Sequence, residues 1–392
     1  MGRDLISVKQ LMTLLFLAML SPGVQLTPGW AAERAGAAGW LAGVGAIPLL
    51  LLLGWLVSAL TRDLPEGKGL ADALSAALGP WAGRGVVFLY LIWELVLLAI
   101  GIRQYGQKVT MDYDDERLWF CLVVLCVMAV WIASGKLSAF ARAGEIFYLA
   151  IAALLIVILA AGVLQIDWLN LVPVEREDWM GLPAAVGEAA GVLSAAVYGG
   201  FLLEKTRREP DAAAQRCRWT VKFCLVLAAI QLVILGGMGT HLAARAEMPL
   251  FALARDMSIG SAVQRLEGVV VSLWILSDLT LVALRIWVGA ALIRWLFGIR
   301  GRWLPPVLGA AALLLGELWF SDPWVLRDFS AAVLPAGNAV MAFAFPAAAL
   351  AALRLRRRKT GGISCASNKG ETEDVVMKKT GEKKEKKDAE KC

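Results

Sequence analysis

The chain has 392 residues, of which 59% are hydrophobic, and a formal net charge of +6 at pH 7. A soluble domain is about 45–50% apolar, so this composition excludes an ordinary soluble protein and indicates an integral membrane protein. The net charge comes from a Lys/Arg-rich tail that begins at Arg354. A basic segment directly after a last helix is typical of a cytoplasmic flank beside anionic lipid. The charge is therefore explained without nucleic acid, and we expect no nucleic-acid partner.

Ten segments meet the requirement of about 20 mainly apolar residues for a membrane-spanning helix. This pattern predicts an all-α integral membrane protein whose ten transmembrane helices occupy residues 1–355, followed by a basic, disordered cytoplasmic tail at 356–392. Lysine and arginine concentrate in the loops on the same side as the N-terminus, which places both termini in the cytoplasm. The predicted spans are 6–27, 38–60, 82–108, 117–134, 144–166, 183–203, 219–241, 264–289, 304–320 and 331–353.

The first and sixth spans both contain residues that interrupt helices. Ser21, Pro22 and Gly23 follow one another in the first span, and the sixth contains the glycine-rich stretch 187–200. These spans are equivalent if the ten helices form a five-plus-five inverted repeat, and paired breaks in equivalent helices are typical of transporters with a binding site at the membrane midplane. We therefore predict that helices one and six are broken, although small residues also serve close helix packing.

Charged side chains lie deep in the third and eighth spans. Glu94 is in the third, and Asp278 and Arg285 are in the eighth, with Ser277 and Thr280 beside them. A charge at the bilayer centre costs at least about 2.5 kcal/mol, so we expect these groups to have partners or a function. The carboxylates line a polar pathway, help to bind an ammonium group, or form ion pairs that fix helix packing; Asp278 pairs either with Arg285 or with another helix. The two hydroxyls face a site or bond back to their own helix.

The eighth span also carries a pattern that indicates a family. Within 264–298, Arg265 and Glu267 form an Arg-x-Glu pair, and Trp274 follows the glutamate by seven residues. This segment resembles the B-subunit of bacterial endospore germinant receptors, the GerAB-type spore germination permease family of the APC superfamily. Four further segments resemble that family in the same order, so the resemblance covers about residues 5–355; they are SPGVQLTP at 21–28, IRQYGQKV at 102–109, LAAGVLQIDWLNLVPV at 159–174 and EMPLF at 247–251.

The resemblance implies a LeuT-like fold, a location in the spore's inner membrane, and a role in binding a nutrient germinant that is an amino acid or a nucleoside. It also implies assembly with the receptor's A-subunit and its lipoprotein C-subunit. The ligand pocket of the family lies among helices one, three, six and eight. Carried over by position, with Ser277 added as a neighbour, the ligand-binding residues would be Ser21, Pro22, Gly23, Trp93, Leu97, Tyr198, Gly199, Thr280 and Leu281.

The chain departs from the family pattern at two places. The turn after the third helix reads MDYDDE at 111–116, and Phe201 stands where the family often has a carboxylate. The alternative function is a Na+- or H+-coupled amino-acid permease of the same superfamily, in which Ser277, Thr280 and backbone carbonyls near Pro22 would hold a cation. A lysine in the fifth span could substitute for such a cation, and the sequence has none there.

The residues that carry enzyme chemistry are scarce in this sequence. His241 is the single histidine, the chain has no HExxH motif, and its six cysteines show no C-x-x-C spacing. We therefore expect neither an enzyme activity nor a metal site nor a cofactor.

Overall fold

The structure, a computed structural model, describes residues 4–110, 118–256 and 267–356. These residues form thirteen α-helices, together with shorter 3-10 and π-helical segments and one isolated bridge between Ile6 and Thr206. The α-helices are α1 (Val8–Ala35), α2 (Leu41–Thr61), α3 (Leu70–Leu78), α4 (Pro80–Thr110), α5 (Leu118–Ser134), α6 (Leu137–Val163), α7 (Arg176–Leu193), α8 (Ala212–Met238), α9 (Thr240–Arg245), α10 (Pro249–Asp256), α11 (Glu267–Phe297), α12 (Leu304–Phe320) and α13 (Pro323–Ala339).

The long helices have the length and composition of membrane spans. Two shorter apolar helices, α5 and α12, occupy the positions of the predicted fourth and ninth spans. Large apolar side chains face outward on these helices, such as Phe120 and Trp131, which are 72% and 79% exposed. This surface suits lipid and not water, so the protein is an integral membrane protein. Among the described residues, eight helical segments are long and apolar enough to cross a membrane, namely Val8–Ala38, Leu41–Thr61, Pro80–Val109, Leu137–Val163, Arg176–Lys205, Ala212–Met238, Gly268–Phe297 and Pro323–Arg356.

The first helix lies at the centre of the molecule. α1 packs against α7, α8, α11 and α6, and most of its side chains are buried. A helix that is apolar on all sides is stable in such a position because every face contacts another helix. The other long pairing joins α4 and α11, the helices that carry the deep charges. The architecture therefore brings α1, α4, α7 and α11 together.

The structure corrects the prediction that the first helix is broken, because α1 is continuous from Val8 to Ala35. Pro22 and Pro28 each remove one backbone donor, but nearby hydroxyls bond to the backbone around them. The Ser277 hydroxyl accepts from the Ser21 N–H (2.9 Å) and donates to the Leu17 carbonyl (2.5 Å). These two backbone groups form one i, i−4 pair of α1, so a side chain inserts into the helix ladder without ending the helix.

The sixth predicted span does change its conformation within the glycine-rich stretch. α7 ends at Leu193, and the chain continues as a 3-10 helix of 12 residues, Ser194–Lys205. Runs of 3-10 helix longer than 3–4 residues are uncommon, and they mark strain or a functional hinge. The last span has a similar irregularity, a π-helical turn at Val340–Ala344. Irregular backbone therefore lies close to the centre of two spans.

Candidate functional site

A small chamber lies where the α1, α4, α7, α11 and α13 helices meet. Its volume is about 20 Å³, which is room for about one water molecule. Three of the residues predicted from the family pattern, Pro22, Leu97 and Leu281, lie on its wall. The polar groups on the wall come from Gln104, Arg285 and Asn338. The chamber thus combines an apolar lining with a few polar groups, as small-molecule sites do.

An ion pair between α4 and α11 stands beside this chamber. The Arg285 Nη1 donates to the Glu94 Oε2 over 2.9 Å, and Glu94 is only 1% exposed. The second carboxylate oxygen, Glu94 Oε1, and the guanidinium Nε of Arg285 have no hydrogen-bond partner among the residues that the structure describes. An unsatisfied buried polar group is costly. Arg285 lies on the chamber wall, so its Nε offers a donor to a small ligand there, whereas Glu94 lies outside that wall and holds the guanidinium in place.

A second ion pair joins the same two helices, and sequence reasoning missed one of its members. The Lys108 Nζ lies 2.9 Å from Asp278 Oδ1 and 2.8 Å from Asp278 Oδ2, and it also donates to the Ser21 hydroxyl. Lys108 and Asp278 are 6% and 1% exposed. Of the two predicted partners for Asp278, the structure thus selects another helix and not Arg285, which is occupied by Glu94.

The sequence contained a signal for Lys108 in the form of a seven-residue spacing. Glu94, Gly101 and Lys108 are seven residues apart on α4, and Asp278 and Arg285 are seven apart on α11, so each set shares one helix face. At about 1.5 Å per residue, Glu94 lies about 21 Å from Lys108 along α4, and Asp278 lies about 10 Å from Arg285 along α11. Because α4 and α11 run antiparallel, Glu94 pairs with Arg285, and Lys108, further along α4, pairs with Asp278. The long lysine and arginine side chains make up the difference between the two spacings.

The remaining hydroxyl and indole groups of the predicted site bind to protein atoms. The Thr280 hydroxyl donates to the Leu276 carbonyl of its own helix over 2.8 Å, which is the back-bonded alternative. Ser277 follows neither alternative, since its hydroxyl bonds to the backbone of a different helix, α1. The Trp93 Nε1–H donates to the Asn338 Oδ1 over 2.9 Å and so fixes the amide at the chamber wall.

The predicted residues just after α7, Tyr198 and Gly199, lie in the 3-10 segment and not on the chamber wall. The Tyr198 hydroxyl donates to the Tyr90 carbonyl over 3.2 Å, and the two rings meet edge to face. Gly199 lies on the wall of a separate apolar cavity of about 120 Å³. Gly23 packs against Leu193, where an added Cβ would lie 3.4 Å from a leucine methyl. These positions therefore support the packing around the chamber.

A larger polar vestibule lies next to the chamber. Its volume is about 280 Å³, and Gln104 belongs to the walls of both cavities. The Gln104 Nε2 donates to the Ser330 hydroxyl over 3.3 Å, which links α4 to α13 between the two spaces. An ion pair of Arg34 and Glu188, 3.0 Å apart, lies at the vestibule rim. The vestibule thus lies at the end of the molecule where α1 ends, and Gln104 separates it from the chamber.

Parts of the predicted sequence features lie outside the described residues. These are Arg265, the turn at 111–116, the tail beyond Arg356 and the side chain of Glu267. Trp274, the third member of that pattern, is buried and stacks on Phe251 with 6.0 Å between the ring centroids.

The fold of this helical membrane protein is similar to that of solved membrane transporters. One similar structure is the substrate-bound outward-open state of a Na+-coupled sialic acid symporter, with a TM-score of 0.63 and 10% identity, covering 89% of this chain and 79% of that one. Another is MhsT in complex with L-phenylalanine, with a TM-score of 0.62 and 14% identity, covering 90% of this chain and 97% of that one. At these identities the likeness shows a LeuT-type fold alone. No curated protein matches the chain.

The family is shown by the sequence itself. The family model Spore_permease, described as spore germination protein, matches residues 5–316. The chain therefore belongs to the spore germination permease family, as its ordered set of motifs indicated. It is a membrane permease-type protein connected with spore germination.

Proposed function

We propose that this protein is the membrane subunit of a spore germinant receptor, which binds a small nutrient germinant, an amino acid or a nucleoside, and thereby triggers germination. The observation that carries the proposal is the chamber between the helices, whose wall includes Arg285 with an unsatisfied Nε. A ligand with an acceptor group, such as a carboxylate, would satisfy this atom. Family membership supports the connection with germination.

The chamber holds about one water molecule, so a ligand requires the surrounding helices to move. The elements that allow such a change are the hydroxyl-bridged turn of α1 and the 3-10 segment Ser194–Lys205 after α7. A ligand shifts a conformational equilibrium only by as much as it prefers one state. A germinant that binds more tightly once α7 or α13 has moved away from α4 would have such a preference. The receptor's A-subunit and lipoprotein C-subunit would receive this conformational change.

The proposal includes the position of the protein in the spore. We place it in the inner membrane with ten transmembrane helices in a five-plus-five inverted repeat and with both termini in the cytoplasm. The support is the occurrence of a helix at each of the ten predicted spans and the basic loops on the N-terminal side. In this orientation the vestibule opens away from the cytoplasm.

The test uses spores in which this receptor is the only one. Single amino acids and nucleosides are screened, and Gly101→Ala is compared with wild type, since an added Cβ there lies 3.5 Å from Leu281 and reduces the chamber. We expect the germinant potency to fall at least tenfold at equal protein level. Gly187→Ala is the matched control, because no atom lies within 4 Å of its added Cβ. Equal potency in all three strains would overturn the chamber as the binding site.

The fold favours one other function, an ion-coupled amino-acid permease, because a Na+-coupled symporter shares it. The two functions differ in what the chain does alone. Uptake of a labelled amino acid by the purified protein in vesicles, without its partners, would establish the permease. Germination that needs the A- and C-subunits, with no uptake, would establish the receptor.

A further inference from the structure

The ammonium of Lys108 lies in a cradle of oxygen atoms that two other helices supply. α11 contributes both carboxylate oxygens of Asp278, at 2.9 and 2.8 Å, and α1 contributes the hydroxyl of Ser21. Ser21 and Asp278 are 0% and 1% exposed, so these oxygens are withdrawn from water. We call this group of three oxygens the ammonium cradle.

The ammonium cradle lies at the turn where α1 receives a side chain from α11. Ser277, the residue before Asp278, bridges the Leu17 carbonyl and the Ser21 N–H. Two consecutive residues of α11 therefore hold the same turn of α1, one directly and one through the ammonium. The contact between α1 and α11 at this level depends on a positive charge that comes from a third helix, α4.

The chemistry of the cradle is that of a small hard cation site. Carboxylate and hydroxyl oxygens bind such cations, and the face of Trp274, 5.9 Å from Nζ, adds a weaker attraction for positive charge. A buried carboxylate without a partner is strongly unfavourable. If the ammonium were removed, Asp278 would need a proton or a free cation in its place.

We propose that Lys108 is a tethered cation that fills a latent monovalent-cation site between α1 and α11, so that the protein needs no free Na+ at this position. A Na+-coupled symporter shares the fold, whereas here a covalently attached charge holds the two helices. The consequence for the germinant response, that it does not depend on Na+, rests on the proposed function.

The test measures the thermal unfolding midpoint of the purified full chain in detergent, without germinant, in NaCl and in choline chloride at equal ionic strength. We expect wild type to unfold at the same temperature in both salts. In choline chloride, Lys108→Ala should unfold several degrees below wild type. Added Na+ should raise the midpoint of this variant until the site is saturated, because a cation that binds only the folded state stabilises that state. LiCl and KCl, in the same titration, show which size of ion the cradle accepts.

Two controls separate the cradle from general salt effects. Lys108→Ala combined with Asp278→Asn removes the carboxylate and should lose the Na+ response. Lys222→Ala removes an exposed lysine that contacts the Tyr148 and Trp219 rings, and it should show no Na+ response. If Lys108→Ala does not fold, Lys108→Gln, which retains a side chain of similar length, takes its place in the same titration.

The outcomes are decisive in both directions. A Lys108→Ala variant, or Lys108→Gln in its place, that regains stability with Na+, Li+ or K+ but not with choline supports the latent site. A single variant that responds equally to all salts overturns it, and so does a wild-type midpoint that rises saturably with Na+ over choline. Since no germinant is present, a failure of the receptor proposal in spores would leave these results unaffected.

Discussion

The Glu94–Arg285 pair is buried between α4 and α11 and satisfies only part of each group. One carboxylate oxygen and the guanidinium Nε remain without a partner among the described residues. A buried ion pair adds little net stability, because the cost of desolvating the two charges offsets their attraction. The loss of one member, however, leaves the other charge buried without a partner. The pair therefore makes each residue sensitive to replacement on its own.

We predict that Arg285→Met lowers the free energy of unfolding by about 3–5 kcal/mol, because the Glu94 charge is then uncompensated. The double variant Glu94→Gln, Arg285→Met should recover most of this loss. Denaturant unfolding of the purified protein, followed by tryptophan fluorescence, measures both. The comparison pair is Arg103–Glu317, whose carboxylate side chain is 40% exposed, and Glu317→Gln should cost less than about 1 kcal/mol. Equal losses in the single and double variants would refute the prediction.

At the scale of elements, α7 and α13 approach each other closely at one of two glycines, Gly187 and Gly191, that lie four residues apart in the glycine-rich stretch. An ideal Cβ on Gly191 would lie 2.7 Å from the Pro335 Cβ and 2.8 Å from its carbonyl oxygen. Gly187, one turn earlier, has no atom within 4 Å of its added Cβ. Only the second glycine of the pair is therefore needed for contact between these helices at this point.

Gly191→Ala should destabilise the protein by about 1–3 kcal/mol, because the proline backbone cannot move aside without shifting α13. Val192, the next residue, lies on the chamber wall, so germinant potency should fall as well. Gly187→Ala should be neutral or stabilising by up to about 1 kcal/mol, since alanine favours a helix more than glycine does. Thermal unfolding of both variants measures the difference. Identical midpoints would show that α7 and α13 are not in this contact.

The sequence predicted the elements well and the contacts between them less well. Hydropathy located a helix at each of the ten spans, because length and apolar composition are local properties. The glycine-rich stretch also located the change of conformation after Leu193. The hydroxyl bridge within α1 was not predicted because it comes from Ser277, 256 positions away. That compensation exists only when two distant helices meet.

The candidate site was predicted in part for the same reason. Pro22, Leu97 and Leu281, which the family pattern assigned to the ligand pocket, lie together on the chamber wall, and their role in binding stays a prediction. Lys108 was missed because it lies near the predicted end of its span, where a lysine normally reaches the interface. Its true partner, Asp278, is 170 residues away. A face defined by Glu94, Gly101 and Lys108 was the available signal.

At the scale of the whole molecule, backbone hydrogen bonds join the N-terminal segment to the chain around the end of the 3-10 helix. The Ile6 N–H donates to the Lys205 carbonyl and the Arg207 N–H donates to the Ile6 carbonyl, both over 2.9 Å. The extended N-terminal segment is thereby joined to the segment that follows the 3-10 helix. A movement of that helix on ligand binding would be transmitted to this contact first.

Asp4 fixes the same N-terminal segment to the start of α6, where its carboxylate accepts from the Leu137 and Ser138 N–H groups over 2.9 and 3.1 Å. Burial raises the pKa of the Asp4 carboxyl. The hydrogen bonds from Ser138 and Leu137 and the charge of Lys205 together lower the pKa by more than burial raises it, so it lies below its ordinary value. Its stabilisation is therefore complete above about pH 5 and is lost as the pH falls through the lowered value. Asp4→Ala should cost about 1 kcal/mol at neutral pH, as the loss of a helix cap does, and this difference should shrink toward pH 3 in thermal unfolding. A difference that grows in acid would mean that the protonated carboxyl is the stabilising form.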